Sequence, residues 1–324
     1  MRQFAKPIIV VSKCLEFDAC RYNGEMVPDL TIRNLQPFVT FIPVCPEVEI
    51  GLGTPRETIR IVEKNGTNRL VQPSIREDVT EKMEQFSNEF LQKLPEVDGF
   101  ILKKRSPSCG TRDVKIYSGF EKGPVKGKGT GTGLFGGAVI KKFSHLPIEE
   151  EGRLSNFIIR EHFFTRLFTI AHYKMIKHTK NIKELVAFQS DYKYLFMAYN
   201  QVKQKELGRI IANQKNETIE VVFDNYEKTL YKLFILAPRY TSNVNVCEHI
   251  FGYFKTKLKK QEKDHFLELL QKYSEKKIPL SSLLVILKTW AIRFDEKYLL
   301  RQTYFEPYPE GLVEISDSGK GRDY

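Results

Sequence analysis

A chain of 324 residues, 41% of them hydrophobic and 28% charged, suits two soluble domains and excludes a disordered polymer. Its net charge of +11 is uneven: residues 1–150 carry 22 Lys and Arg against 19 Asp and Glu, and residues 151–324 carry 29 against 21. A field of that sign suits polyanions such as nucleic acid, and a solvated lysine-rich surface accounts for it equally well.

No apolar run reaches eighteen residues, so no membrane-spanning helix is expected. The opening "MRQFAKPIIVVSKC" has too short an apolar core for a signal peptide, and a cytoplasmic location is the expectation. In chain order, "PIIVV" (7–11), "PFVTFIPV" (37–44) and "DGFILK" (98–103) are short β-branched and aromatic runs bounded by turn formers, which predicts strands. Between the second and third, Asn65-Gly66 predicts a tight hairpin. Ser74 and Glu77 make a capping-box pattern, and Val79, Met83, Phe86, Phe90 and Leu94 share one face of the helix it would open. Strands alternating with helices imply an α/β domain with a mainly parallel sheet.

Residues 121–137 are rich in Gly and Lys. Gly131, Gly133 and Gly136 satisfy G-x-G-x-x-G, but no strand leads in and no clear helix is read out of it, so a basic surface loop is preferred to a dinucleotide site. After Pro147 and the run Glu149-Glu150-Glu151 the alternation stops and helical spacing continues to about Leu300. The expected division is an α/β domain over 1–148, a mostly α-helical domain over 149–310 and a polar tail over 311–324, disordered in "ISDSGKGRDY".

Five cysteines in a reducing compartment are not expected to be disulfide staples. Cys14 follows the first strand, Cys45 the second, and Cys109 lies in the loop after the third. If these strands run parallel, their carboxyl ends bring three thiols from distant parts of the chain to one crevice. The close pairs of a structural zinc site are missing. An iron–sulfur cluster normally takes four cysteines, so three would leave one iron open, whereas Cys20 as a fourth would close the site. Ordinary buried cysteines are the bland alternative. The neighbours favour chemistry: Glu47 in "CPE" is placed for proton transfer, Ser106 and Ser108 flank Cys109 as hydrogen-bond donors, and Lys103-Lys104-Arg105 favours thiolate or sulfide.

The blocks "KCLEFDACRYNG" (13–24), "PVCPEVEIGLGTPR" (43–56) and "LKKRSPSCG" (102–110) resemble, in order and spacing, the three signature blocks of the thiouracil desulfidase family, TudS. Residues 150–310, above all "LVAFQSDYKYLFMAYNQVKQKELGRIIA" (185–212), resemble the helical YbgA-type domain, and the fusion resembles the RudS type that removes sulfur from 4-thiouridine in tRNA. The resemblance implies a [4Fe-4S] cluster held by Cys14, Cys45 and Cys109 with one iron not ligated by protein. It implies catalytic roles for Glu47 and Ser106, and Cys20 nearby but not a ligand. Gln189 and Tyr192 stand where members of the resembled family often carry histidines, so histidine chemistry is not carried over to the second domain, although a binding role is.

The function so implied is conversion of a thiocarbonyl nucleobase, in tRNA or free, to its oxo form without net redox change. Lys174, Lys177 and Lys180 recur at three-residue spacing and, with "KTKLKKQEK" (255–263), are the expected RNA contacts; Tyr173, Tyr192 and Tyr194 are interleaved as candidate stacking rings, most of them expected in the core. Two other readings compete. One is a non-catalytic RNA-binding protein with a structural cysteine-ligated metal. The other is a thiol redox enzyme using Cys14 and Cys20, which lacks C-x-x-C spacing.

Overall fold

The computed structural model describes residues 2–119, 131–213 and 217–314. Most of the Gly- and Lys-rich loop and the tail from 315 onward lie outside the described residues. The chain forms two compact units, 2–171 with 311–314, and 172–310.

The first unit is the α/β half. Its elements run β1 (Ile8–Ser12), α1 (Leu30–Leu35), β2 (Thr40–Val44), α2 (Pro46–Glu49), β3 (Arg60–Lys64), β4 (Thr67–Gln72), β5 (Glu77–Asp78), α3 (Thr80–Lys93), β6 (Gly99–Leu102), β7 (Ile116–Tyr117), α4 (Leu134–Phe143), β8 (Ile148–Glu150) and the start of α5 (Phe157–Thr179). The main sheet has the order β2-β1-β6-β8, and every pairing in it is parallel. Ile9, Val10 and Val11 of β1 and Phe100, Ile101 and Leu102 of β6 are fully buried, as unbroken apolar runs covered on both faces must be.

A smaller sheet, β5-β4-β3-β7, carries the expected hairpin. Lys64 pairs Thr67, and Asn65 and Gly66 both take positive φ, the geometry that matches strand twist in a two-residue loop.

Three expectations are corrected. Helix α3 begins at Thr80 rather than near Ser74, because Glu77–Asp78 pairs with β4 and the carboxylate of Asp78 accepts Thr80 N–H (3.0 Å) and O–H (2.6 Å). A helix does open from the glycine-rich motif, with Gly133 as the N-cap of α4. The acidic run expected at the domain boundary begins in β8, an edge strand of the main sheet: Glu150 is fully buried and accepts Thr111 N–H (2.7 Å) and Oγ1–H (3.0 Å), while Glu151, just past the strand, accepts Lys104 N–H (2.7 Å) and pairs with Lys103.

The second unit is helical throughout its regular elements. It takes the end of α5, then α6 (Ile182–Asp191), α7 (Lys193–Tyr199), α8 (Gln201–Ala212), α9 (Ile219–Leu233), α10 (Tyr240–Phe251), α11 (Lys260–Ser274), α12 (Leu280–Arg293) and α13 (Lys297–Leu300). Asn181, Asn200 and Thr218 cap α6, α8 and α9 through side-chain oxygens, which supplies their start signals. An aromatic core, including Phe196, Phe223, Tyr226, Phe254, Phe266 and Trp290, holds the helices together. Among the described residues no helix is long and apolar enough to cross a membrane.

Candidate active site

The register of the main sheet sets the site. Ser12 pairs Val44, and Val11 pairs Ile101, so β1, β2 and β6 end at one edge. Lys13 N–H donates to Val44 O (2.8 Å) and Lys103 N–H to Ser12 Oγ (2.9 Å), which ties the departing loops together just beyond that edge. A cavity of about 230 Å³ opens there, lined by Cys14, Cys20, Cys45 and Cys109 and by Glu47 and Ser106. The sequence-predicted cysteines and both predicted catalytic residues therefore meet in one place.

All four thiols are buried and free of disulfides. Burial pushes the Cys14 thiol up to about 12, with Cys45 adding to the effect and Lys103 opposing it. Burial, then Cys45, pushes Cys20 up to about 12, and burial raises Cys45 and Cys109 as well. Thiols so placed remain protonated near neutral pH unless a cationic centre sits among them and takes their protons' place. Among the described residues no three His, Cys, Asp or Glu side chains are grouped as ligands of a single metal ion. A cluster has several corners and spaces its thiolates more widely than one ion does, and three cysteines around a cavity, with soft sulfur donors, suit it.

Glu47 is held at both oxygens. Pro46 opens α2 directly after Cys45, which puts Glu47 in the first turn beside the cavity. Arg56 pairs with Oε2 through Nη2 and through Nε (2.9 Å), and its Nη1 donates to the carbonyls of Cys20 (2.9 Å) and Gly53 (2.9 Å). Ser108 Oγ–H donates to Oε1 at 2.5 Å, whereas Ser106 reaches the same oxygen only at 3.4 Å. Ser106 Oγ lies 2.9 Å from Ser108 Oγ and accepts the N–H groups of Cys109 (3.1 Å) and Ser108 (3.3 Å). The hydroxyls and the carboxylate thus form one chain, Ser106 to Ser108 to Glu47.

Sequence reasoning missed Arg56 and Ser108 as partners of Glu47. In the sequence Ser108 reads only as a neighbour of Cys109, and Arg56, nine residues beyond Glu47, carries no signal apart from its place at the end of the second block, "PVCPEVEIGLGTPR". Tyr22 and Arg21 also line the cavity; the Tyr22 ring is 43% exposed, with the Arg21 guanidinium 5.6 Å from its centroid.

The basic residues singled out in the second unit are placed differently from the expectation. Lys174 is buried at 7% exposure. Lys177 pairs with Asp224 (2.9 Å) and Glu227 (2.9 Å), and Lys180 with Glu220 (3.0 Å). Lys174 is withdrawn from the surface, whereas Lys180 stays exposed at 63%, so the three do not share one open face. Tyr173, Tyr192 and Tyr194 are buried in the core; Tyr173 Oη donates to Phe223 O (2.6 Å), and Tyr192 Oη lies 2.9 Å from His172 Nδ1.

Fold and cavity define a parallel α/β domain with a thiol-lined site at the carboxyl edge of its sheet. A family model for 2-thiouracil desulfurase matches residues 9–151, and a model for DUF1722, of unknown function, matches residues 193–309. The uncharacterized protein YbbK of Bacillus subtilis (strain 168) is 36% identical over 151 residues, 44% of this chain and 95% of YbbK. The uncharacterized protein YbgA of Escherichia coli (strain K12) is 24% identical over 156 residues, 48% of this chain and 92% of YbgA. A solved structure described as a [4Fe-4S]-dependent thiouracil desulfidase, TudS, is 26% identical with a TM-score of 0.35, covering 46% of this chain and 93% of that one. The chain belongs to the 2-thiouracil desulfurase family.

Proposed function

We propose that this chain replaces sulfur by oxygen at the thiocarbonyl carbon of a nucleobase, in 4-thiouridine of tRNA or in a free thiobase. The observation that carries the reading is the single cavity shared by Cys14, Cys45 and Cys109 and the hydrogen-bonded chain Ser106, Ser108 and Glu47. Cys14, Cys45 and Cys109 would hold a [4Fe-4S] cluster with one iron not ligated by protein, which supplies a thiophilic Lewis acid for the thiocarbonyl sulfur.

The protein's own groups do the rest. Glu47, fixed by Arg56 and Ser108, takes a proton from water as its oxygen bonds to carbon. Ser106, at the cavity wall, donates a hydrogen bond to the ring or to the charge that develops on it. The C–S bond then breaks as Glu47 returns that proton to sulfur, which leaves as hydrosulfide; the proton still on the added oxygen passes to Glu47 and on to solvent, and the water oxygen remains as the carbonyl. Atoms and charge balance with water as co-reactant, and neither oxidant nor reductant is consumed. Tyr22 at the mouth offers a face on which the base stacks.

The test is anaerobic reconstitution with iron and sulfide, then incubation with 4-thiouridine-containing tRNA and with free thiouracil while the thiocarbonyl absorption is followed. The wild type should be brown and should bleach at least one substrate. Glu47→Ala should keep the colour and lose turnover. A colourless, zinc-containing protein that leaves both substrates intact would replace this reading with a structural metal site.

A further inference from the structure

The second unit contains a cavity of about 500 Å³ that the proposed chemistry does not use. It lies where the end of α9 and the start of α10 meet the α7–α8 corner. One side is apolar: Tyr199 stands edge-on to Phe234 at 4.6 Å, and Ile235 and Leu236 are each 66% exposed. Adjacent exposed aliphatics beside a well-filled core are unusual unless something covers them.

The other side is cationic. Lys203, Lys232 and Arg239 line the cavity, and among the described residues no Asp or Glu does. Glu206, behind it, is engaged by Lys203 (2.6 Å) and by Thr229 Oγ1 (3.4 Å), and Lys232 also lies near enough to favour its charged form. Lys232 and Arg239 are exposed. Arg239 is the N-cap of the twelve-residue α10, which has no side-chain cap hydrogen bond, so the helix adds its own positive end to the same rim.

An occupant that joins an apolar group to an anion within a few hundred cubic ångströms suits both sides, and a nucleotide has that chemistry. We propose that this cavity binds one unpaired nucleotide of an RNA strand, with its phosphate on Lys232 and Arg239 and its base against Tyr199 and Leu236. The choice of a strand over a free nucleotide rests on the proposed action on tRNA; the nucleotide chemistry rests on the cavity alone.

The experiment uses the full chain, a short fluorescent single-stranded RNA without thiolated bases, and fluorescence anisotropy, with UMP as an unlabelled competitor. Lys232→Glu and Arg239→Glu should each weaken RNA binding about tenfold and flatten its salt dependence by roughly one phosphate contact. Lys288→Glu, the same change at an exposed position of α12 outside the cavity, should alter binding by less than about twofold. Leu236→Lys should weaken binding although it adds a cation, because it removes the wall for the base. Far-UV circular dichroism and melting curves confirm that each variant is folded.

Equal weakening by all three charge reversals, no weakening by any, or tighter binding by Leu236→Lys would overturn the site. UMP binding as tightly as the strand would overturn the strand as occupant. Because the probe carries no thiocarbonyl, failure here is separate from failure of the desulfidase reading.

Discussion

Replacing Ser108 with Ala is the most direct probe of how Glu47 is set. Ser108 is fully buried and does not line the cavity, yet its hydroxyl donates to Glu47 Oε1 at 2.5 Å and links Ser106 to that carboxylate. Without it, Oε1 keeps only the 3.4 Å contact from Ser106, at the weak end of hydrogen-bond geometry. A hydrogen bond to a charged group contributes about 1.5–3 kcal/mol. If that interaction orients the base in the transition state, kcat should fall about 10- to 100-fold, since each 1.36 kcal/mol is a factor of ten. KM for thiouracil should hardly move, because substrate does not touch Ser108. The assay is steady-state desulfuration by reconstituted protein matched to wild type in iron and sulfide content. Ser106→Ala serves as the contrast, since Ser106 also accepts two N–H groups of the Cys109 loop and its loss should lower cluster content as well. A loaded Ser108→Ala enzyme within about twofold of wild-type kcat would refute the orientation argument.

Other outcomes follow from the same geometry. Arg56→Ala removes one partner of a pair whose side chains are only 4% and 13% exposed, so the apo protein should lose roughly 3–5 kcal/mol in denaturant unfolding, part of it recovered in Arg56→Ala/Glu47→Ala. Cys20→Ser should still load the cluster, seen as visible absorption and iron content, whereas Cys14→Ser should not; the reverse pattern would make Cys20 a ligand. Glu161 on α5 is raised to about 7, chiefly by burial, with Arg160 opposing. Its folded value lies above its unfolded one, so the folded state binds the extra proton between about 4.5 and 7, and stability from this group falls as pH rises through that window. Glu161→Gln should therefore exceed wild-type melting temperature at pH 8 and match it at pH 4; equal values at both would sink the assignment.

Much of this site was legible because its determinants are local. Cys14, Cys45 and Cys109 each come after a strand-forming run, and parallel order converts three such positions into one edge, as the pairings Ser12–Val44 and Val11–Ile101 show. Asn65-Gly66 declared its hairpin through backbone chemistry that two residues suffice to encode. The failures are of a different kind. Ser74 and Glu77 have the spacing of a helix start, but strand pairing with β4 claimed Glu77 and moved the start to Thr80. Lys174 lies at helical spacing with Lys177, yet the face it occupies is buried, and charge spacing alone does not say which face of α5 meets solvent.

The acidic run and the glycine motif were misread for a shared physical reason: each acts on the cysteine loop from the far side. Glu150 and Glu151 mark the place where the alternation stops in the sequence, but their carboxylates accept backbone N–H groups of Thr111, Arg112 and Lys104, flanking Ser106 and Cys109. The buried Glu150 carboxylate is held through Oε1, which takes all three donors, while Oε2 has no hydrogen-bond partner among the described residues; sequence shows the acceptor without its donors. Gly136 has no side chain because a Cβ would lie 2.5 Å from Cys109 O and as close to Gly110 O, and at Gly133 a Cβ would press on Ser108 O. The glycines let α4 approach the backbone of the loop that presents Ser106, Ser108 and Cys109, the same close approach that such motifs allow toward a pyrophosphate. The third thiol is therefore positioned from two sides, by carboxylates beneath and by a helix seated on glycine, and this support makes a seven-residue excursion after Leu102 return to the edge where Cys14 and Cys45 end their strands.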